Sequence, residues 1–346
     1  MKKHITALLA FFLILSASAQ SSIETILNNN QWSSREDVKI NLNDDQGNET
    51  FIPVSVIKGK KPGPTFTVVA GVHGFEYPPI VAAQELLQEI NLQSLTGTLI
   101  IIPITNTAAF YERTMFVSPL DKVNLNRAFP GSKDGTVSQQ IAHFISSEII
   151  PNTDVFLDVH GGDANEDLLP FVCYYNNEQK PEQTSLAKKL SEVSGFEYIV
   201  SYPYTLKDTE PAMFAFKQAV QHGKTALSIE SGKLGNVQDE AVSLIKKGVY
   251  NMLNEMGMYK GSTKIKTKKI RINQQAYIKA TQKGVFYSTY RAGDSIKEGD
   301  IIGSIKDEFG NTLSKIIAPN TGVILYKIGT PPVNIDNTIM CIGYSS

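Results

Sequence analysis

The stretch Thr65-Phe-Thr-Val-Val-Ala-Gly-Val-His73-Gly-Phe-Glu76-Tyr-Pro-Pro79 decides the fold. Its first half is a largely apolar run of strand length, interrupted only by threonine, the pattern of a buried strand. The run stops at His73. Two prolines follow Glu76, and proline in a first helical turn gives up no hydrogen bond. The stretch therefore reads as strand, tight turn, helix. A second run, Asp154-Val-Phe-Leu-Asp158-Val-His160-Gly-Gly162, also ends on a histidine. Two imidazoles and one carboxylate at the ends of neighbouring strands make the three-ligand set of an open catalytic zinc site.

Working outward, residues 30 to 260 alternate apolar strands with amphipathic helices. The strand-like runs are Phe66–Val72, Thr98–Ile104, Val155–His160, Phe171–Tyr175 and Thr225–Glu230. The helix-like runs are Pro79–Ile90, Ser138–Ile149, Glu182–Val193 and Val237–Met256. In the second of these, Ile141, Phe144, Ile145 and Ile149 share one face. Such alternation predicts an α/β layered domain around a mostly parallel or mixed sheet. Sites in such sheets gather at the carboxyl ends of strands, where His73, His160 and Glu230 all fall.

Composition changes after Gly261. Lys264-Ile-Lys-Thr-Lys-Lys-Ile-Arg271 reads as an exposed edge strand kept soluble by lysine, with an anionic surface as the alternative partner. From there to Ser346 come short strands and frequent glycines without a helix pattern. Ala292–Gly303 and Ile317–Ile324 carry tight-turn hairpin signals. This predicts a small all-β domain over 268–346, resembling the barrel-sandwich fold of biotinyl and lipoyl carrier domains. It has no convincing equivalent of their carrier lysine, so no attached cofactor is expected.

At the other end, Lys2 and Lys3 precede an apolar run from Ile5 to Leu15, and Ala17-Ser18-Ala19 offers a small-residue cleavage site. That is a secretory signal over 1–19, too short for a comfortable membrane span. It predicts export, to a periplasmic or extracellular setting, and a catalytic domain over 20–262. No later run is long enough to expect stable membrane insertion. The 33 basic and 34 acidic residues nearly cancel, so no nucleic-acid partner is expected. The two cysteines, Cys173 and Cys341, read as buried thiols, although export permits a disulfide.

Each chemical residue also has a plainer reading. His73 and Glu76 can converge on one ion, or serve as a strand-end histidine and a helix-start acid. His160 strengthens the first reading, as does Asp158, which lies on the same strand face and could hold the imidazole as an outer acceptor. Asn126 and Arg127, in Leu125-Asn-Arg-Ala-Phe-Pro-Gly131, suit a substrate carboxylate. Arg113 is a second cation in the same connection. Taken alone, both arginines also read as solvated surface. Glu230 closes Ala226-Leu-Ser-Ile-Glu230, a strand where a carboxylate needs a partner. That partner is metal-associated water, a lysine or the backbone. His143 and His222 lie in helical contexts without metal-like spacing.

Read in order, His73-Gly-Phe-Glu76, Asn106 through Arg113, Asn124-Leu-Asn126-Arg127-Ala-Phe-Pro-Gly131, Asp158-Val-His160 and Ile229-Glu230-Ser-Gly232 resemble the succinylglutamate desuccinylase/aspartoacylase family. The resemblance covers most of residues 65–232. It implies a three-layer zinc carboxypeptidase-like domain with a mixed central sheet, followed by a small β-domain. It implies one Zn²⁺ per chain held by His73, Glu76 and His160, with water as fourth ligand. Glu230 would be general base and then acid, Arg113 would polarise the scissile carbonyl, and Asn126 and Arg127 would hold a substrate carboxylate. The implied activity is hydrolysis of the amide of an N-acyl amino acid. The alternative is an exported zinc carboxypeptidase or amidase on short peptides such as cell-wall fragments. A homo-oligomer is compatible with either.

Overall fold

The computed structural model describes residues 23–260 and 268–345. The expected signal over 1–19, and the lysines of the edge-strand stretch up to residue 267, lie outside the described residues. A short helix α1 (Ile23–Asn28) leads into a hairpin, β1 (Ser34–Asn43) and β2 (Glu49–Lys58). Then come β3 (Thr65–Ala70), α2 (Tyr77–Glu89), β4 (Thr98–Ile102), α3 (Thr107–Glu112), α4 (Val137–Phe144) and β5 (Val155–His160). These are followed by β6 (Glu166–Leu168), β7 (Phe171–Asn176), α5 (Pro181–Val193), β8 (Tyr198–Pro203), α6 (Ala215–Gln221), β9 (Thr225–Glu230), α7 (Asp239–Glu255) and β10 (Ile270–Ile272).

Nine of these strands form one mixed sheet in the order β1-β2-β4-β3-β5-β9-β7-β8-β10. The central pairs β4/β3, β3/β5 and β5/β9 are parallel, while β9/β7 and the β1/β2 hairpin are antiparallel. Apolar side chains leave both faces, as expected for a sheet covered twice. Val155, Leu157, Val159, Leu227 and Ile229 pack on one side with α2, α5 and α7. Phe156, Ala226, Val69 and Cys173 pack on the other with α4 and α6. The result is a helix–sheet–helix arrangement.

The five sequence-predicted strands are all present, with small differences at their ends. The first ends at Ala70 rather than Val72, because Gly71 takes a φ of 68°, which suits glycine and breaks the strand. The second ends at Ile102. The helix expected over Ser138–Ile149 stays α-helical to Phe144 and widens into a π turn over Ile145–Ile149. The β1/β2 hairpin was not anticipated. Its β1 is only half-buried, so its apolar signal is weak. The lysine-rich stretch does end in an edge strand: Ile270–Ile272 pairs in parallel with β8 at the margin of the large sheet.

Beyond β10 lie two antiparallel sheets. One is β11 (Gln274–Lys279), β18 (Thr338–Tyr344), β16 (Gly322–Ile328) and β13 (Ser295–Ile296), in that order; the other runs β15 (Thr312–Ile317), β14 (Ile301–Lys306), β12 (Gly284–Tyr287) and β17 (Pro332–Val333). Phe286, Ile305, Ile316, Ile324, Met340 and Ile342 fill a core of their own. Two strands cross the expected border: β10 belongs to the large sheet, and β6 pairs with β16. Val323, Leu325 and Cys341 also pack into the large core beside Phe171 and Cys173. Both cysteines are buried free thiols. No helix of the described residues is long and apolar enough to cross a membrane.

Candidate metal centre and active site

Strand periodicity places the reactive groups. Residues two apart share a face, so Asp158 and His160 lie together on β5, as do Ser228 and Glu230 on β9. Register then sets Asp158 beside Ser228 and His160 beside Glu230. His73 and Glu76 arrive from the neighbouring β3 through the turn that starts α2, whose first turn holds Pro78 and Pro79. Gly74 in this turn lies so close to the backbone of Ala109 that no side chain fits there. The turn is thereby seated against α3.

His73, Glu76 and His160 converge, with one donor atom from each lying within 4.8 Å of the others. Among the described residues they form the one His/Cys/Asp/Glu group with this spacing. His73 Nδ1 lies 2.6 Å from Glu76 Oε1 and His160 Nδ1 lies 2.9 Å from Glu76 Oε2. The opposite ring nitrogens are held elsewhere. His73 Nε2 donates to Asn124 Oδ1 at 3.1 Å. His160 Nε2 lies 3.1 Å from Asp158 Oδ1, at ion-pair distance but without hydrogen-bond alignment. Asn124 holds the Nε2 proton of His73 and so leaves its Nδ1 as the ligand atom, and the contacts of both Nδ1 atoms with Glu76 turn them towards one point where an ion would sit. The donor set, two imidazoles and a carboxylate, is that of an open zinc site. The residues therefore fit the expected metal.

The charges match that geometry. Burial alone would raise the Glu76 carboxyl, yet the imidazoles of His160 and His73 bring it down to about 2. Burial works against protonated His73 and His160, but Glu76 raises both, and Asp158 is the largest influence raising His160. Glu230 is pushed well above the usual carboxylate range by burial; His160 opposes the shift, and Glu76, Glu166 and Asp158 add to it. Its carboxylate makes no hydrogen bond or ion pair with the described residues. A carboxyl group tuned upward beside a metal-type centre suits a group that takes a proton and gives it back.

The loop residues fare differently. Asn126 is buried, with Oδ1 accepting from Ala215 N–H at 3.0 Å and Nδ2 lying 3.4 Å from His160 Nε2. Its amide thus joins the start of α6 to the metal-side histidine rather than standing free. Arg127 is exposed, with its guanidinium 4.5 Å above the Phe214 ring and Nη1 donating to Asn126 O at 2.6 Å. Arg113 caps α3 in the left-handed region at φ 53° and is exposed. It lines a surface groove with Tyr77, Val81, Gln84, Phe110 and Val237, and no contact brings it to His73, Glu76 or His160.

Three residues were not anticipated in these positions. Asn124 was visible within its motif, but its hold on His73 depends on a fold that brings residues 51 apart together. Asp163 accepts from Phe116 N–H at 3.0 Å, and the Phe116 ring stands edge-on to His73. Glu166, half-buried at the start of β6, is raised to about 7, chiefly by burial. Nothing in a Gly-Gly-Asp-Ala-Asn-Glu turn announces these roles; only the polar content of a turn after a strand-end histidine hints at them.

Comparison with known proteins agrees with this geometry. The family model for the succinylglutamate desuccinylase/aspartoacylase catalytic domain matches residues 62–256. N-alpha-acetyl-L-2,4-diaminobutyric acid deacetylase of Halomonas elongata is 29% identical over 303 residues, covering 85% of each chain. The crystal structure of a succinylglutamate desuccinylase from Silicibacter sp. TM1040 superposes with a TM-score of 0.81 at 26% identity, over 92% of this chain and 96% of that one. The product-bound ectoine utilization protein EutE (DoeB) of Ruegeria pomeroyi gives 0.81 at 25% identity, over 91% and 97%.

Proposed function

The chain belongs to the succinylglutamate desuccinylase/aspartoacylase family, and from that premise we propose that it is a zinc-dependent hydrolase of the amide bond of an N-acyl amino acid. The observation that carries this reading is the His73–Glu76–His160 centre with Glu230 on the adjoining strand. A zinc ion held there would acidify water and draw electron density from the scissile carbonyl. Asn124 holds the His73 imidazole and the Asp158 carboxylate stands behind that of His160, so that both Nδ1 atoms face inward. Glu230 takes the proton from the attacking water as its oxygen bonds to the carbonyl carbon. It then delivers that proton to the leaving nitrogen as the carbon–nitrogen bond breaks, giving a carboxylate and a free amine. Arg127 offers the guanidinium that meets the substrate carboxylate, and Asn126 positions both His160 and the start of α6. The carbonyl-polarising role of Arg113 has the family motif as its support.

We further propose that the sheets after β10 form a barrel-sandwich-like domain, the unit expected over 268–346 less the strand β10 that joins the large sheet, appended to a catalytic domain over 20–262, and that the chain is exported. The test of the main reading is His160→Ala. Metal content after reconstitution with zinc should fall from about one equivalent to a small fraction, because a three-ligand site loses one ligand. Hydrolysis of N-acyl amino acids should fall with it. A variant keeping full zinc and full activity would show the centre to be wrongly assigned.

A further inference from the structure

Glu166 is fixed on the wall of the site by backbone bonds. The segment after His160 and the segment after Glu230 run side by side. Ser231 N–H donates to His160 O at 2.9 Å, Gly162 N–H to Gly232 O at 2.8 Å, and Leu234 N–H to Glu166 O at 2.8 Å. Gly162 is pressed between the Glu166 carbonyl and the Lys233 backbone, so a side chain there would force the two segments apart. Glu166 also opens β6, where its pairing with Ile328 ties it to the C-terminal sheet. Its position is therefore set from both sides, independently of its own side chain.

Its carboxylate is only partly used. Oε2 accepts from Asp163 N–H at 3.1 Å, and no hydrogen bond to Oε1 is present among the described residues. Lys233, in the adjoining segment, is paired instead with Asp167 at 3.2 Å. Glu76 and Asp163 act on Glu166 as like charges and the His73 imidazole opposes them, while Glu230 and Tyr326 in turn feel Glu166. A half-buried carboxylate that faces two carboxylates, feels the relieving His73 imidazole only at a distance and makes no ion pair among the described residues is costly to keep. The hydrolytic chemistry assigned to Glu230 and the metal centre gives it no task.

We propose that Glu166 is a specificity residue that receives a cationic group of the substrate, so that the preferred substrates are N-acyl amino acids whose side chain carries a primary ammonium. The inference rests on the deacylase reading and narrows it. Arg127 meets the carboxylate end of such a substrate, and Glu166 meets the amine from the opposite chain segment. A neutral or acidic side chain would leave Glu166 desolvated without compensation, and an acidic one would add repulsion.

The experiment uses the zinc-loaded full chain and two isosteric substrates, N-α-acetyl-2,4-diaminobutyrate and N-acetylnorvaline, with N-acetylglutamate as the acidic case. One charge-assisted hydrogen bond predicts a preference for the amine of about 10- to 100-fold in kcat/KM, carried mainly by KM. Glu166→Gln keeps an acceptor for Asp163 N–H, so the turn is retained. It should bring the amine-to-norvaline ratio to within about threefold. A purely structural Glu166 would instead lower both substrates together and leave the ratio intact, which overturns the proposal. So does a wild-type enzyme that hydrolyses N-acyl amino acids without favouring the amine. Hydrolysis of none of them sinks the deacylase reading itself. Calorimetry then decides Glu166 separately, with free 2,4-diaminobutyrate and norvaline titrated into zinc-loaded wild type and Glu166→Gln. Tighter binding of the diamine that disappears in the variant supports the proposal; equal binding of the two by wild type overturns it.

Discussion

His160 and Glu230 stand on strand ends, whereas Arg113, Asn126 and Arg127 hang from the long connection between β4 and α4, and the two groups obey different rules. A strand end in a parallel sheet has little freedom. Register with the neighbouring strand puts His160 opposite Glu230, and strand period turns both to one face. Side-chain identity alone then states where each group points. The connection has no register. Asn126 and Arg127 sit in a single 3₁₀ turn, while Arg113 caps a helix in the left-handed region and turns to a surface groove. Within one loop, two arginines with similar sequence credentials end in different surroundings. Chemistry placed by backbone register is readable from spacing; chemistry placed by a loop depends on what the loop packs against.

The most damaging test of the strand-end half is Glu230→Gln. The amide keeps the shape and cannot take the proton, so turnover should fall by roughly two to four orders of magnitude. Zinc content should stay near wild type, because Glu230 is not among the converging donors. A variant retaining more than about a tenth of wild-type turnover would remove the proton-transfer role. Asp158→Asn sharpens the same half. Asp158 is fully buried behind His160, with its Oδ1 3.1 Å from Nε2. Losing that charge should weaken zinc binding by about 10- to 100-fold, read by competition with a chelator, as is usual for outer partners of a metal-bound imidazole. Unchanged affinity would mean that Asp158 only fills space in the sheet.

Much of the large sheet was legible because its strands are covered on both faces and read as continuous apolar runs. Val155 to His160 is such a run, interrupted only by Asp158 and ended by the histidine. The β1/β2 hairpin leaves a weak mark in the sequence because β1 alternates between half-buried and exposed positions. The C-terminal region shows a different limit. Its turns and short strands announce an all-β unit, but not that β6, over a hundred residues earlier, pairs with β16. Nor do they say that Val323, Leu325 and Cys341 complete the core beside Phe171. Strand partners distant in sequence leave no mark in either segment alone. Shortening the chain near Lys266 would therefore uncover buried apolar surface and orphan β6, so point variants are the better probes of this half.

The comparison within the loop yields the smaller effects. Arg127 is exposed but stacked on Phe214, one residue from the amide that touches His160, and the desolvation of its guanidinium lowers its pKa without removing its charge. A substrate carboxylate meeting it would gain a charge-assisted bond. Arg127→Ala should raise KM by about 10- to 100-fold for substrates with a free carboxylate and by much less for their amidated counterparts. Equal losses for both would remove the clamp. Arg113→Ala is the contrasting case. Its exposed side chain lines a groove with Tyr77 and Val237, with no contact to the metal-type centre. If the present geometry persists through turnover, the variant should lose no more than about threefold in kcat, the scale of an exposed charge removed at a distance. A loss of about a hundredfold or more in kcat would show instead that the end of α3 swings inward with substrate and brings Arg113 to the carbonyl oxygen, where a single donor contributes on that scale. The kcat of this one variant therefore decides whether the connection acts in the position seen here or only after it moves.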